Sequence, residues 1–151
     1  MVVRAARPDE AELLSALALA SKGHWGYDAA FLAACREELT LTAEDVVAQR
    51  AAVVERDGRV AGFCTLVGEA PELELGMMFV HPDHIGAGVG RELWTHAAAT
   101  AADLGAERVT IDADPYAEAF YLAMGASRVG EVASESIPGR VLPRLAYRPK
   151  G

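Results

Sequence analysis

Three glycines at alternate positions in HPDHIGAGVG, His81 to Gly90, are the strongest chemical signal in the chain. Gly86, Gly88 and Gly90 carry no side chains, so successive backbone N–H groups can close around an anion such as a phosphate. The stretch joins the apolar run LELGMMFV to a helical pattern, so the positive end of a helix dipole would add to the cradle. Two familiar nucleotide loops fit poorly. A Walker loop ends in Gly-Lys-Ser/Thr, whereas Arg91-Glu92 stands here, and a dinucleotide fingerprint reads G-x-G-x-x-G in place of G-x-G-x-G.

A second cluster interrupts an Ala- and Leu-rich opening arm: SKGHWGYD, Ser21 to Asp28. Lys22, His24, Trp25 and Tyr27 crowd into six residues there. Aromatics of that size in a connector either pin it to the core or line a pocket. Other reactive side chains are isolated. His81 and His84 lie three apart without a third ligand in the turn, so no metal site is expected. Cys35 and Cys64 have neither metal-ligand spacing nor a partner base. Two unpaired thiols fit a cytoplasmic setting.

The elements that must position these groups follow from periodicity. Residues 2 to 6 suit a first strand, and Pro8-Asp9 opens a helix with Leu13, Leu14, Leu17 and Ala20 near one face, stopping at Lys22-Gly23. Asp28 reads as the cap of a second helix directing Phe31, Leu32 and Cys35 inward, and Thr42 to Asp45 as a capping box for a third. Asp57-Gly58 marks a hairpin between two strand patterns, and LELGMMFV, Leu73 to Val80, reads as a buried strand. A helix over about Gly88 to Leu104 carries Val89, Leu93, Ala97 and Leu104 on one stripe, with Gly105 as its stop. RVTIDA then returns parallel to LELGMMFV. Asp114-Pro115 opens another helix, ended by Gly125. SRVGEVA and VLPRLAY close the chain as two strands, with Pro143 predicting an edge position or a bulge. The sum is one α/β (α+β) domain over residues 1–151, with a mixed, mostly antiparallel sheet of six to seven strands and helices on both faces.

Composition bounds the function. The 151 residues are 52% hydrophobic and 24% charged, a globular profile. A net charge of −8 argues against nucleic acid as a partner. No apolar run approaches a membrane span, and the charged N-terminus argues against export.

FVHPDHIGAGVGRELW resembles the central motif of the GNAT superfamily of acyl-CoA-dependent N-acyltransferases, a strand ending V-x-P followed by Q/R-x-x-G-x-G/A and a helix. DPYAEAFYLAMGA, Asp114 to Ala126, resembles the family's N-x-x-A-x-x-F-Y-x-x-x-G-F block, and the element order agrees throughout. The resemblance implies an N-acetyltransferase using acetyl-CoA and a primary amine, with a homodimer as a family expectation. It implies that Met78, Phe79 and Val80 offer a backbone N–H to the thioester carbonyl. It further implies that Ile85, Gly86, Ala87, Gly88, Val89 and Gly90 hold the cofactor, with Asp114 beside it. Tyr121 would be the general acid for the departing thiolate, with Tyr116 as the alternative. Glu74 would be the general base, directly or through water. Ile85 and Asp114 depart from the family's Gln/Arg and Asn, and Ala126 from its Phe. Lys22, His24, Trp25 and Tyr27, with Arg140 from the Ser136–Arg140 turn, would wall the acceptor pocket, and the two cations would favour a carboxylate or phosphate. The competing expectations are an acyl-CoA sensor or interaction module without turnover, and a nucleotide-binding enzyme.

Overall fold

The computed structural model describes residues 1–149. Strand β1 (Val2–Ala5) leads through a 3-10 turn at Pro8–Glu10 into α1 (Ala11–Gly23), α2 (Ala29–Cys35) and α3 (Ala43–Ala48). A meander follows: β2 (Ala52–Arg56), β3 (Arg59–Glu69) and β4 (Glu72–Val80). Helix α4 (Val89–Asp103) crosses to β5 (Arg108–Asp112), and α5 (Glu118–Ala123) precedes β6 (Ser127–Ala133) and β7 (Val141–Tyr147). The seven strands form one sheet in the order β1-β2-β3-β4-β5-β7-β6. Only β4 and β5 run parallel, as a helical crossover requires.

Local chemistry explains the element starts. Asp28 accepts the Phe31 N–H at 2.8 Å, and Thr42 and Asp45 cap each other's backbone reciprocally. Asp57 and Gly58 both take positive φ, 54° and 74°, matching the right-handed twist of the hairpin they close. Two cores cover the two faces. Under α4 and α5 lie Leu66, Leu73, Leu75, Leu93 and Ile111; under α1 to α3 lie Leu14, Leu17, Val53 and Phe63. Adjacent residues of β3 alternate between them, Phe63 to one and Cys64 to the other.

Four expectations need correction. The buried stripe of α1 is Leu14, Leu17, Ala18 and Ser21, whereas Leu13 and Ala20 are exposed. That helix runs through Gly23, and the left-handed residue after it is Gly26, at φ 86°. Leu104 is exposed, and Ala101 completes the stripe of α4. Pro143 lies in an interior strand: its carbonyl accepts Ala113 N–H just past the end of β5 pairing. Its nitrogen faces the same side and carries no hydrogen, so the reciprocal bond to the Ala113 carbonyl is missing and the β5–β7 ladder stops there.

Strand β4 holds the feature that shapes the site. Thr65 pairs with Met77, but the next residue, Leu66, pairs with Leu75, so Gly76 is the extra residue of a β-bulge. A Cβ at Gly76 would lie 2.9 Å from Thr65 Oγ1, which leaves room for glycine only. The bulge reverses the alternation of the strand. Leu73 and Leu75 belong to the core beneath α4, while Met77 and Phe79 pack against the core beneath α1.

Candidate active site

Strands β4 and β5 pair only over Glu72–Glu74 and Arg108–Thr110. Beyond that point they diverge, and the gap opens into a cavity of about 500 Å³. One wall is β4 from Leu75 to Val80, the other runs from Ile111 to Asp114, the 3-10 turn at Pro115–Ala117 contributes Tyr116, and α5 contributes Phe120 and Tyr121. Residues 75–80 have no partner on β5, so the backbone amides that face the cleft are free to bind a ligand.

The glycine cradle heads this cleft. Gly86 and Gly88 take φ of 85° and 87°, and Gly88 is the N-cap of the 15-residue α4. The amides of Val89, Gly90 and Arg91 begin that helix and have no helical acceptor, so they point along the dipole as an anion site. Ile85, Gly86, Gly88, Val89 and Gly90 all line the cavity. Ala87 is not among the lining residues: its side chain packs onto the core beneath α4. A Cβ on Gly90 would stand 3.4 Å from the Phe120 ring, which lets α4 and α5 approach closely. Met78, Phe79 and Val80 form the apolar floor together with Met77.

Tyr121 is buried, only 5% exposed, and lies on the cavity wall between the Trp94 and Phe120 rings. Its hydroxyl pairs with no described residue. Burial, then the proximity of Cys64 and Asp114, raises its pKa, so the phenol keeps its proton.

Glu74 is not in the wall. It lies in a separate depression with Glu72, Arg108, Thr110 and Arg144, which corrects the expectation of direct contact. Burial and then Asp112 raise its pKa, while Arg144 opposes them. Along the strand Leu75 and Gly76 separate it from Met77: Leu75 turns into the core beneath α4, and Gly76 is exposed and without a side chain.

The acceptor-side residues converge, except that His24 and Tyr27 do not line the cavity. Asp114, expected beside the cofactor, lines it and is the hub of an ionic cluster. Its carboxylate takes Lys22 Nζ at 3.0 Å, the Tyr27 hydroxyl at 3.1 Å, Arg140 Nη2 at 3.3 Å and Tyr116 N–H at 2.9 Å. Burial pushes its pKa up, but the Tyr116 N–H, Lys22 and Tyr27 outweigh that and hold it below the usual range. His24 is exposed and edge-on to Trp25, outside the cavity. Lys22, Trp25 and Arg140 line the mouth. Tyr27 stands behind them, stacked on Phe31 at 4.0 Å, and orients Arg140, whose Nη2 donates to its hydroxyl at 2.8 Å. Sequence reasoning missed Gly76, Met77, Glu38 and the stacking role of Tyr116 on Trp25. A glycine inside an apolar strand run was the available signal for the bulge.

A bulged strand parts from its parallel neighbour, with a glycine cradle at the head of the gap, as the resemblance to the GNAT acyltransferases implies. The sequence profile described as the acetyltransferase (GNAT) family matches residues 17–126, and the chain belongs to that family. It is an acyltransferase. Similar solved structures include a GCN5-related N-acetyltransferase of Rhodopseudomonas palustris, also described as a class-II aminotransferase. It is 22% identical at a TM-score of 0.78, over 97% of this chain and 94% of that one. The PaiA N-acetyltransferase of Thermoplasma acidophilum, in complex with coenzyme A, is 16% identical at 0.79, over 97% and 98%. YncA of Salmonella typhimurium, a putative acetyltransferase with acetyl-CoA, is 19% identical at 0.70, over 100% and 95%. These identities establish the shared fold. No curated protein sequence matches the chain significantly. Among the described residues no helix is long and apolar enough to cross a membrane.

Proposed function

We propose that this enzyme moves the acetyl group of acetyl-CoA to a primary amine of a small molecule or peptide, by direct attack in a ternary complex. One observation carries the reading: a single cavity runs from the glycine cradle, past Tyr121, to Lys22, Trp25 and Arg140. The residues fit acetyl-CoA. The first amides of α4 and the Gly86–Gly88 turn would hold the diphosphate, and Met77 to Val80 would cover the pantetheine arm.

In the reaction the amine nitrogen attacks the thioester carbonyl carbon, and a cleft-facing amide of the Met78–Val80 segment stabilises the oxyanion. Glu74 takes the amine's proton through a water seated over Gly76; its raised pKa suits a base. The carbon–sulfur bond then breaks, and the Tyr121 hydroxyl protonates the thiolate. Solvent returns that proton. An acyl-cysteine route is disfavoured because burial pushes the Cys64 thiol up to about 12 and raises that of Cys35. The two free thiols support a cytoplasmic setting.

Tyr121→Phe tests the assignment. It should cut kcat by about 100-fold or more while leaving acetyl-CoA affinity by titration calorimetry nearly unchanged. No saturable acetyl-CoA binding by the native protein would sink the proposal. Saturable binding without turnover on any amine would favour an acyl-CoA sensor.

A further inference from the structure

The ionic cluster at the cavity mouth carries an unmatched charge. Lys22 and Arg140 share one anion, Asp114, and the three side chains are only 12%, 15% and 16% exposed. Tyr27 adds no second anion: burial and then Asp114 push its hydroxyl up to about 12. Glu38 also lines the cavity, but it is exposed, takes the Ser136 hydroxyl, and makes no ion pair with either cation. The cluster is therefore +1 in a largely desolvated place, a costly state unless a ligand completes it.

Donors remain to receive that ligand. Arg140 uses only Nη2, toward Tyr27 and Asp114, so Nε and both hydrogens of Nη1 have no partner among the described residues. Lys22 spends one of its three N–H bonds on Asp114. The faces of Tyr27 and Phe31 lie 5.3 and 4.9 Å from the Arg140 guanidinium carbon and hold the fork in place. Beside the cluster, Trp25 stacks on Tyr116 with centroids 5.1 Å apart and planes 4° apart, an apolar wall on the same cavity.

We propose that this cluster binds a carboxylate on the acceptor, so that the amine substrate is an amino acid or another amino-carboxylate. A planar guanidinium fork matches a carboxylate, and one negative charge neutralises the cluster. A phosphate, at about −1.5 to −2, would overshoot it. The acetyl-transfer reading supplies the identification of the ligand as acceptor; the anion site itself rests on the charge count.

The test pairs acceptors that differ only in the anion: an α-amino acid, the same amine lacking the carboxylate, and its phosphonate analogue. Thiol release from acetyl-CoA gives kcat/KM, and the shift in melting temperature without acetyl-CoA gives binding. The carboxylate member should lead by about 10- to 100-fold in kcat/KM. Arg140→Ala should erase that lead by raising the acceptor's KM, with the KM of acetyl-CoA unchanged. Lys22→Met should act in the same direction, which covers the case in which the first variant fails to fold. Equal kcat/KM across the series, a lead for the phosphonate, or an effect confined to the KM of acetyl-CoA overturns the proposal. Stabilisation by the carboxylate without turnover on any member would keep the anion site and defeat the acetyl-transfer reading instead.

Discussion

Thr65→Val should make this protein more stable, the opposite of what most core substitutions do. Thr65 is fully buried in β3, and its Oγ1 has no hydrogen-bond partner. A buried hydroxyl without a partner costs about 1–3 kcal/mol, which valine removes while keeping the branched shape. The methyl that replaces the hydroxyl adds roughly 0.8 kcal/mol of burial. Against this stands crowding at Gly76, where the extra bulk of a methyl meets the bulged backbone. The net gain should be about 1 kcal/mol, or roughly 2–4 °C in Tm for a chain of this size. Urea unfolding with an unchanged m-value measures it. A loss of stability would refute the reasoning, because it would mean that the hydroxyl has a partner, such as an ordered water held beside the bulge.

Gly62→Ala should cost about 1–3 kcal/mol, because its Cβ would lie 2.8 Å from both the Phe79 carbonyl oxygen and Val89 Cγ1; unaltered urea unfolding would contradict that clash. Gly88→Ala forces a side chain into φ 87° at the cap of α4 and should cost about 1–2 kcal/mol. Calorimetry should show weaker acetyl-CoA binding, and native affinity would remove the cradle from the binding site. Glu10→Gln probes acid stability. The Arg4 hydrogen bond and the Arg7 N–H, against burial, hold Glu10 at about 2 instead of 4.5. A depressed carboxyl contributes its full stability above pH 4.5 and loses it as pH falls toward 2. The gap between native and Gln proteins should therefore be widest above pH 4.5 and close below it; a gap independent of pH would reject the assignment.

Much of this fold is legible because single residues announce element ends. Asp28, Thr42, Asp114 and Gly125 act as caps or stops because their side-chain oxygens, or the lack of a side chain, satisfy the backbone locally. The sheet order around β7 was harder, since Pro143 is compatible with an interior strand only where its neighbour has already ended. The glycine cradle was visible in the spacing of Gly86, Gly88 and Gly90. The partner of Asp114 was not, because Lys22 and Arg140 lie 92 and 26 residues away and reach it only through the tertiary fold. Glu74 illustrates the same limit: its strand was identified, but the face it occupies depends on the bulge at Gly76.

That bulge gives β4 something like a reading frame. Upstream of Gly76 its odd-numbered side chains serve the core beneath α4; downstream they serve the core beneath α1. Deleting this one residue would not simply shorten the strand. Every side chain would keep its present face, Leu75 toward α4 and Met77 toward α1, because the two stretches that Gly76 separates are already in phase; what would go is the local bend of the bulged strand, beside which the cleft opens. The two cores decide which side chains stand on either side of Gly76; the cleft, and not the cores, is what the extra residue serves.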